Sequence, residues 1–160
     1  MRALLSVLHG QRRHVLGILD GLGAEALRRP VLPSGWSCLG LVQHLALDVE
    51  RFWFRAVVTG DQDVIESLDD TVDAWQVAPG VPHGEVLDRY RREAARADAV
   101  VTAATADASL AWWPRHLFGE PHLHSVRDVL LHVITETACH AGHLDAAREL
   151  IDGRRWMVLT

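Results

Sequence analysis

Apolar residues recur at three- and four-residue spacing over four long stretches of this chain, and no strong strand signal interrupts them. The first stretch runs from about Arg2 to Gly21, with Leu5, Leu8, Val15, Leu16 and Leu19 inward; Gly21-Leu22-Gly23 ends it. The second begins after Ser37, a capping residue, and runs to about Thr59 with Leu41, Leu45, Phe52 and Ala56 as its stripe. The third spans about Gly84 to Ala104, turning Val86, Leu87, Tyr90, Ala94, Ala97 and Val100/Val101 inward. The fourth starts at Ser125, where Asp128 three residues on makes an approximate capping box, and Gly153 stops it. Four helices of this length predict an all-α, single-domain four-helix bundle occupying residues 1–160.

The connections are uneven. A Pro- and Gly-rich loop, Arg29 to Trp36, joins the first two helices. Gly60 to Pro82 reads as a long polar connection, acidic at Asp61, Asp63, Glu66, Asp69, Asp70 and Asp73, with room for a short helix near Val64–Leu68. Its length would let the chain cross the bundle, so simple up-down order does not follow. Trp112-Trp113-Pro114 marks the last loop.

Composition narrows the function classes. The net charge is −5 and the positive residues are all Arg, with no basic cluster of the kind that tracks phosphates, so nucleic-acid binding is disfavoured. We read the absence of Lys as GC-rich codon bias. Cys38 and Cys139 are far apart and form no CxxC pair, which argues against a disulfide framework or a thiolate zinc site. No apolar run reaches a membrane span, and the N-terminus lacks the apolar core of a signal peptide. A soluble cytoplasmic protein is the expectation.

The chemistry concentrates in Leu131–Leu144, LHVITETACHAGHL. Glu136 and His140 are four apart, and on a helix they stack on one face, where a carboxylate and an imidazole hold one side of a divalent ion. With Val126, Val133, Thr137 and Leu144 defining the inward face, His140 falls about 40° from its centre and Glu136 about 80° to the same side. His143 and His132 lie further round, toward a groove or solvent. A lone interior His is commonly a satisfied core residue. A carboxylate beside it changes the balance, because a cation between the two compensates both. Zinc in a catalytic site takes three protein ligands and leaves one position open, so another helix must contribute. His44 on the edge of the second stripe is a candidate, and His9 and His14 on the first helix are rivals. Asp48, one turn beyond His44 and also turned inward, would serve as an acceptor fixing an imidazole or as a partner for an interior Arg. His116, His122 and His124 read as solvated loop residues. Phe52 is core, and the same is expected of Trp53. Cys139 points away from the site.

Two segments, Val31–Ala46 (VLPSGWSCLGLVQHLA) and Leu131–Gly153 (LHVITETACHAGHLDAARELIDG), resemble the signature blocks of the DinB/YfiT-like superfamily, nearest to its mycothiol-dependent, maleylpyruvate-isomerase-like branch. The resemblance implies a four-helix bundle with a divalent ion on three residues, which fall on His44, Glu136 and His140. It is this resemblance that selects His44 over His9 and His14. It also implies a metal-dependent enzyme using a low-molecular-weight thiol such as mycothiol as co-substrate. Its action would be S-transfer onto small electrophiles through a metal-bound thiolate. Zinc is the first expectation for the ion, with nickel, iron or manganese allowed. The alternative is a non-catalytic metal-binding stress-response bundle or a partner-binding module. A homodimer is compatible with each reading, since exposed loop Trp suits an interface.

Overall fold

The computed structural model describes residues 1–69 and 73–157; Asp70 of the acidic connection and residues 158–160 of the expected domain lie outside the described residues. Four long helices carry the fold: α1 (Arg2–Leu19), a second helix that begins as α3 (Cys38–His44) and continues with the wider π winding over Leu45–Val58, α5 (His83–Ala103) and α7 (Val126–Asp152). Short helices decorate the connections: α2 (Ala24–Arg28), α4 (Gln62–Glu66), a 3-10 turn at Ser67–Asp69 and α6 (Arg115–Phe118). Among the described residues there is no strand, and no helix is long and apolar enough to cross a membrane. The fold is an all-α bundle, as the periodicity predicts.

Helix ends follow local chemistry. The Ser125 side chain accepts from the Asp128 N–H, and Asp128 Oδ2 accepts from the Ser125 N–H, so α7 starts on a reciprocal capping box. At its other end Gly153 takes the left-handed conformation (φ 79°) that closes a helix and costs other residues strain. Ser37 caps α3 by accepting from the Gly40 N–H.

Around the bundle α1 packs on α7, α7 on the second helix, the second helix on α5, and α5 on α1. The long Gly60–Pro82 connection therefore joins neighbours, the second helix and α5, rather than crossing the bundle. The steps from α1 to α3 and from α5 to α7 are the ones that pass across its diagonal. The second helix is consequently covered on most of its circumference. Phe52, Trp53 and Phe54 point in different directions and are all buried. Val15, Leu41, Leu45, Val86, Val133 and Leu144 sit in the common core.

A charged network runs through that core. Arg12 of α1 gives a bidentate pair to Glu50, both contacts at 2.6 Å, and a third bond of 2.6 Å to Asp98. Burial pushes the Glu50 carboxyl up, while its bidentate guanidinium partner pulls it back. Every strong donor and acceptor here is used on another, so the network is closed.

Candidate metal centre

The face of α7 that turns toward α3 carries Glu136 and His140, and the last residue of α3 is His44. Helix–helix packing brings all three together: one ligand atom from each lies within 4.8 Å of the others. Zinc–ligand bonds of about 2.0–2.1 Å at tetrahedral angles set donors roughly 3.4 Å apart, so small side-chain rotations suffice to close the trio on one ion. His140 Nε2 is already 3.5 Å from Glu136 Oε2. The His140 and His44 rings stand edge to face, centroids 5.1 Å apart. Two nitrogens and one carboxylate oxygen are a donor set that suits a divalent ion of the zinc type.

Neighbouring groups orient these donors. Asp48 Oδ2 lies 2.9 Å from His44 Nδ1; with that nitrogen carrying the proton, Nε2 is left with its lone pair free. Asp48 is exposed rather than turned inward as the helical wheel suggests. Even so, the i, i+4 spacing lets it reach the imidazole from the solvent side. His143 Nδ1 lies 3.4 Å from His140 Nδ1, behind the ring. Burial holds His140 below the ordinary imidazole range, and the nearby His44 adds to it. The ring is thus neutral at neutral pH, the form that donates a lone pair.

Periodicity does not reveal Trp75. Its indole stacks on His44, ring centroids 4.1 Å apart and planes 18° from parallel, and meets His140 edge-on at 5.8 Å. Trp75 comes from the long connection, which is tied down at this point. Gln43, beside His44, donates to the carbonyls of Ala74 and Gln76. Gly40 lets the loop approach: a Cβ there would sit 2.1 Å from the Trp75 carbonyl oxygen. The only sequence signal was an isolated Trp in a polar loop following a Gly-containing helix.

The rival donors are engaged elsewhere. His9 Nε2 pairs with Asp98 at 2.9 Å, and His14 Nδ1 accepts from the Trp156 indole N–H at 2.9 Å. His122 and His124 are exposed loop residues, His116 is exposed on the short helix α6 rather than in a loop, and His132 is half-buried against Trp53. Neither cysteine joins the trio. Burial pushes the Cys38 thiol up to about 11, and Cys139 is exposed on another side of α7.

Comparison with curated proteins and with solved structures gives no match. The family model described as mycothiol-S-transferase matches residues 3–153, nearly the whole chain and both segments that meet at this site. The chain therefore belongs to the mycothiol S-transferase family, within the DinB/YfiT-like superfamily.

Proposed function

We propose that this protein is a divalent-metal-dependent S-transferase that joins a mycothiol-type thiol to small electrophiles, with His44, Glu136 and His140 as the metal ligands. The observation that carries the reading is the gathering of one ligand atom from each of three side chains on two helices to within 4.8 Å of one another, with Asp48 Oδ2 2.9 Å from Nδ1 of one of them. A divalent ion held there, with zinc the first choice, supplies the positive charge that lowers the pKa of a thiol brought beside it.

The chain's own residues do the rest. His44, Glu136 and His140 would hold the ion with three donors and leave it open to a substrate. Asp48 keeps the His44 proton on Nδ1, away from the metal side. Trp75 covers the flat face of His44 and holds the ring plane. Glu136, part-exposed, keeps the site reachable from solvent and contributes negative charge that balances the cation. Neither cysteine is placed to be the nucleophile, which agrees with a thiol supplied as a co-substrate.

Metal analysis of purified protein, paired with conjugation of a model electrophile by mycothiol, tests this. We expect stoichiometric metal and metal-dependent turnover in the wild type, and loss of both in His140→Ala. Full metal content in His140→Ala would remove the ligand assignment. Metal bound by the wild type without any acceleration would favour the non-catalytic metal-binding bundle.

A further inference from the structure

Five aromatic rings follow one another through the metal centre. Between ring centroids, Trp75 is 4.1 Å from His44, His44 is 5.1 Å from His140, His140 is 5.5 Å from His143, and His143 is 6.3 Å from Trp36. The order comes from the two helices. On α7, Glu136, His140 and His143 stand at i, i+4 and i+7, a single stripe. Trp36 immediately precedes Ser37, the cap of α3, and His44 ends that helix. The pairings of Trp36 with His143 and of His44 with His140 show that α3 and α7 run in opposite directions here. The succession of rings therefore starts at the metal ligands and continues outward along the seam between the two helices.

The two indoles at its ends are used differently. Trp75 lies 18° from parallel to His44, so its face is occupied. Trp36 is tilted by 48° to His143, and among the described residues no other ring lies against it. It is half-buried, packed in part on the core. Its position is fixed from both sides: the Gly35 N–H bonds the Leu32 carbonyl at 3.0 Å, and the Ser37 side chain caps α3. His143 is exposed; its Nδ1 faces His140, and Nε2 is left for an incoming group. The charge around these rings is negative. Asp48 and Glu136 are the ion-pair partners of the imidazoles, and among the described residues no guanidinium bonds any of the five rings.

We infer that Trp36 and His143 are positioning residues that seat the uncharged polyol head of the thiol co-substrate. The inference rests on the proposed reading that this co-substrate is of the mycothiol type. Mycothiol carries its cysteine as an amide on a glucosamine joined to inositol, so its head offers hydroxyls and C–H faces and no carboxylate. Those C–H groups are apolar and slightly positive, and they settle on the electron-rich face of an indole. The hydroxyls both donate and accept, so they bond His143 Nε2 in either tautomer. The cysteinyl arm and the two rings together are about as long as three extended residues, roughly 10 Å. That is the scale of the two ring-to-ring steps, 5.5 Å and 6.3 Å, from His140 out to Trp36. A thiol whose own head bears carboxylates, such as glutathione, finds Asp48 and Glu136 there and no guanidinium to receive it. The same surroundings thus select against anionic thiols.

Titration of the full chain with N-acetylglucosaminyl-inositol, mycothiol's head without its sulfur, tests the seat apart from any chemistry. We expect saturable binding by calorimetry. Trp36→Ala should bind the head about tenfold more weakly, and Trp36→Phe should recover to within about threefold of the wild type. His143→Ala should lose about threefold through a missing hydrogen bond. In turnover, Trp36→Ala should raise the KM for mycothiol about tenfold with kcat within about twofold. Glutathione should be used at least about tenfold less efficiently than mycothiol by the wild type. Absence of saturable binding, or wild-type affinity in both Trp36→Ala and His143→Ala, overturns the seat; so does equal use of glutathione. His143 is exposed, so its variant decides even if Trp36→Ala fails to fold. Head binding that depends on Trp36, without conjugation of any thiol, would count against the transferase and leave the seat standing. Conjugation with an unchanged KM for mycothiol in Trp36→Ala would do the reverse.

Discussion

Two of the clusters of charged and polar side chains in this bundle use their groups in opposite ways. Arg12, Glu50 and Asp98 link α1 to the second helix and α5 through three bonds of 2.6 Å. Each charge there is spent on its neighbour. His44, Glu136 and His140 join α3 to α7, yet their closest mutual contact is 3.5 Å, and their oriented lone pairs meet no donor of matching strength. The first cluster is complete without a ligand. The second becomes complete with a cation. Charge inside a helical bundle is thus no sign of a site by itself; what separates the two is whether the partners are already satisfied.

The sharpest way to break this contrast is to remove half of the closed network. Glu50→Ala leaves the Arg12 guanidinium buried without its main partner, and we expect a loss of about 3–5 kcal/mol in urea denaturation. The metal content of the protein that remains folded should be unchanged. A small loss would mean that the network is not the closed structural element described here.

Gly40→Ala attacks the wall of the open site. The added methyl meets the Trp75 carbonyl oxygen, so the loop must retreat at a cost of about 1–3 kcal/mol. The Trp75 stack on His44 should loosen with it, read as altered Trp emission and weaker metal binding. Unaltered emission together with wild-type stability would show that the loop does not pack as described.

Asp48→Asn sharpens the comparison from the other side. The acceptor that fixes His44 is an exposed carboxylate, so metal-free stability should move by less than about 0.5 kcal/mol. Metal affinity should fall about 10–100-fold. A change in stability with unchanged affinity would turn Asp48 into a structural residue.

The smallest effect is a pH dependence. Burial holds both His132 and His140 below the ordinary imidazole range, so below about pH 6.5 the unfolded chain binds protons there that the folded chain does not. Their contribution to the metal-free protein is therefore complete above that pH and is lost as pH falls through the folded values. Thermal midpoints measured at about pH 7.5 and about pH 5.5 should show a lower value in acid, and less of a drop in a His132→Gln, His140→Gln double variant.

Much of this molecule could be read along the chain. The capping box at Ser125 and Asp128, the stop at Gly153 and the pairing of Glu136 with His140 depend only on spacing within one helix. The choice of His44 over His9 and His14 did not come from spacing; it came from resemblance, and the structure shows the rivals paired with Asp98 and Trp156. Trp75 and the Arg12–Glu50 pair were not legible, because each joins residues more than thirty positions apart. Asp48 was placed on the wrong side of its helix, although its contact to His44 needs only the i, i+4 relation.

Local periodicity, caps and turn residues determined by themselves that this chain makes four long helices, and that one of them presents a carboxylate and an imidazole together. Those features arise from interactions within a few residues, which any stretch of sequence carries with it. Which helices became neighbours, which imidazole met the pair, and which indole came down upon it were decided only by tertiary packing. The physical reason is that burial of the apolar faces selects the arrangement, and the polar groups go where that arrangement takes them.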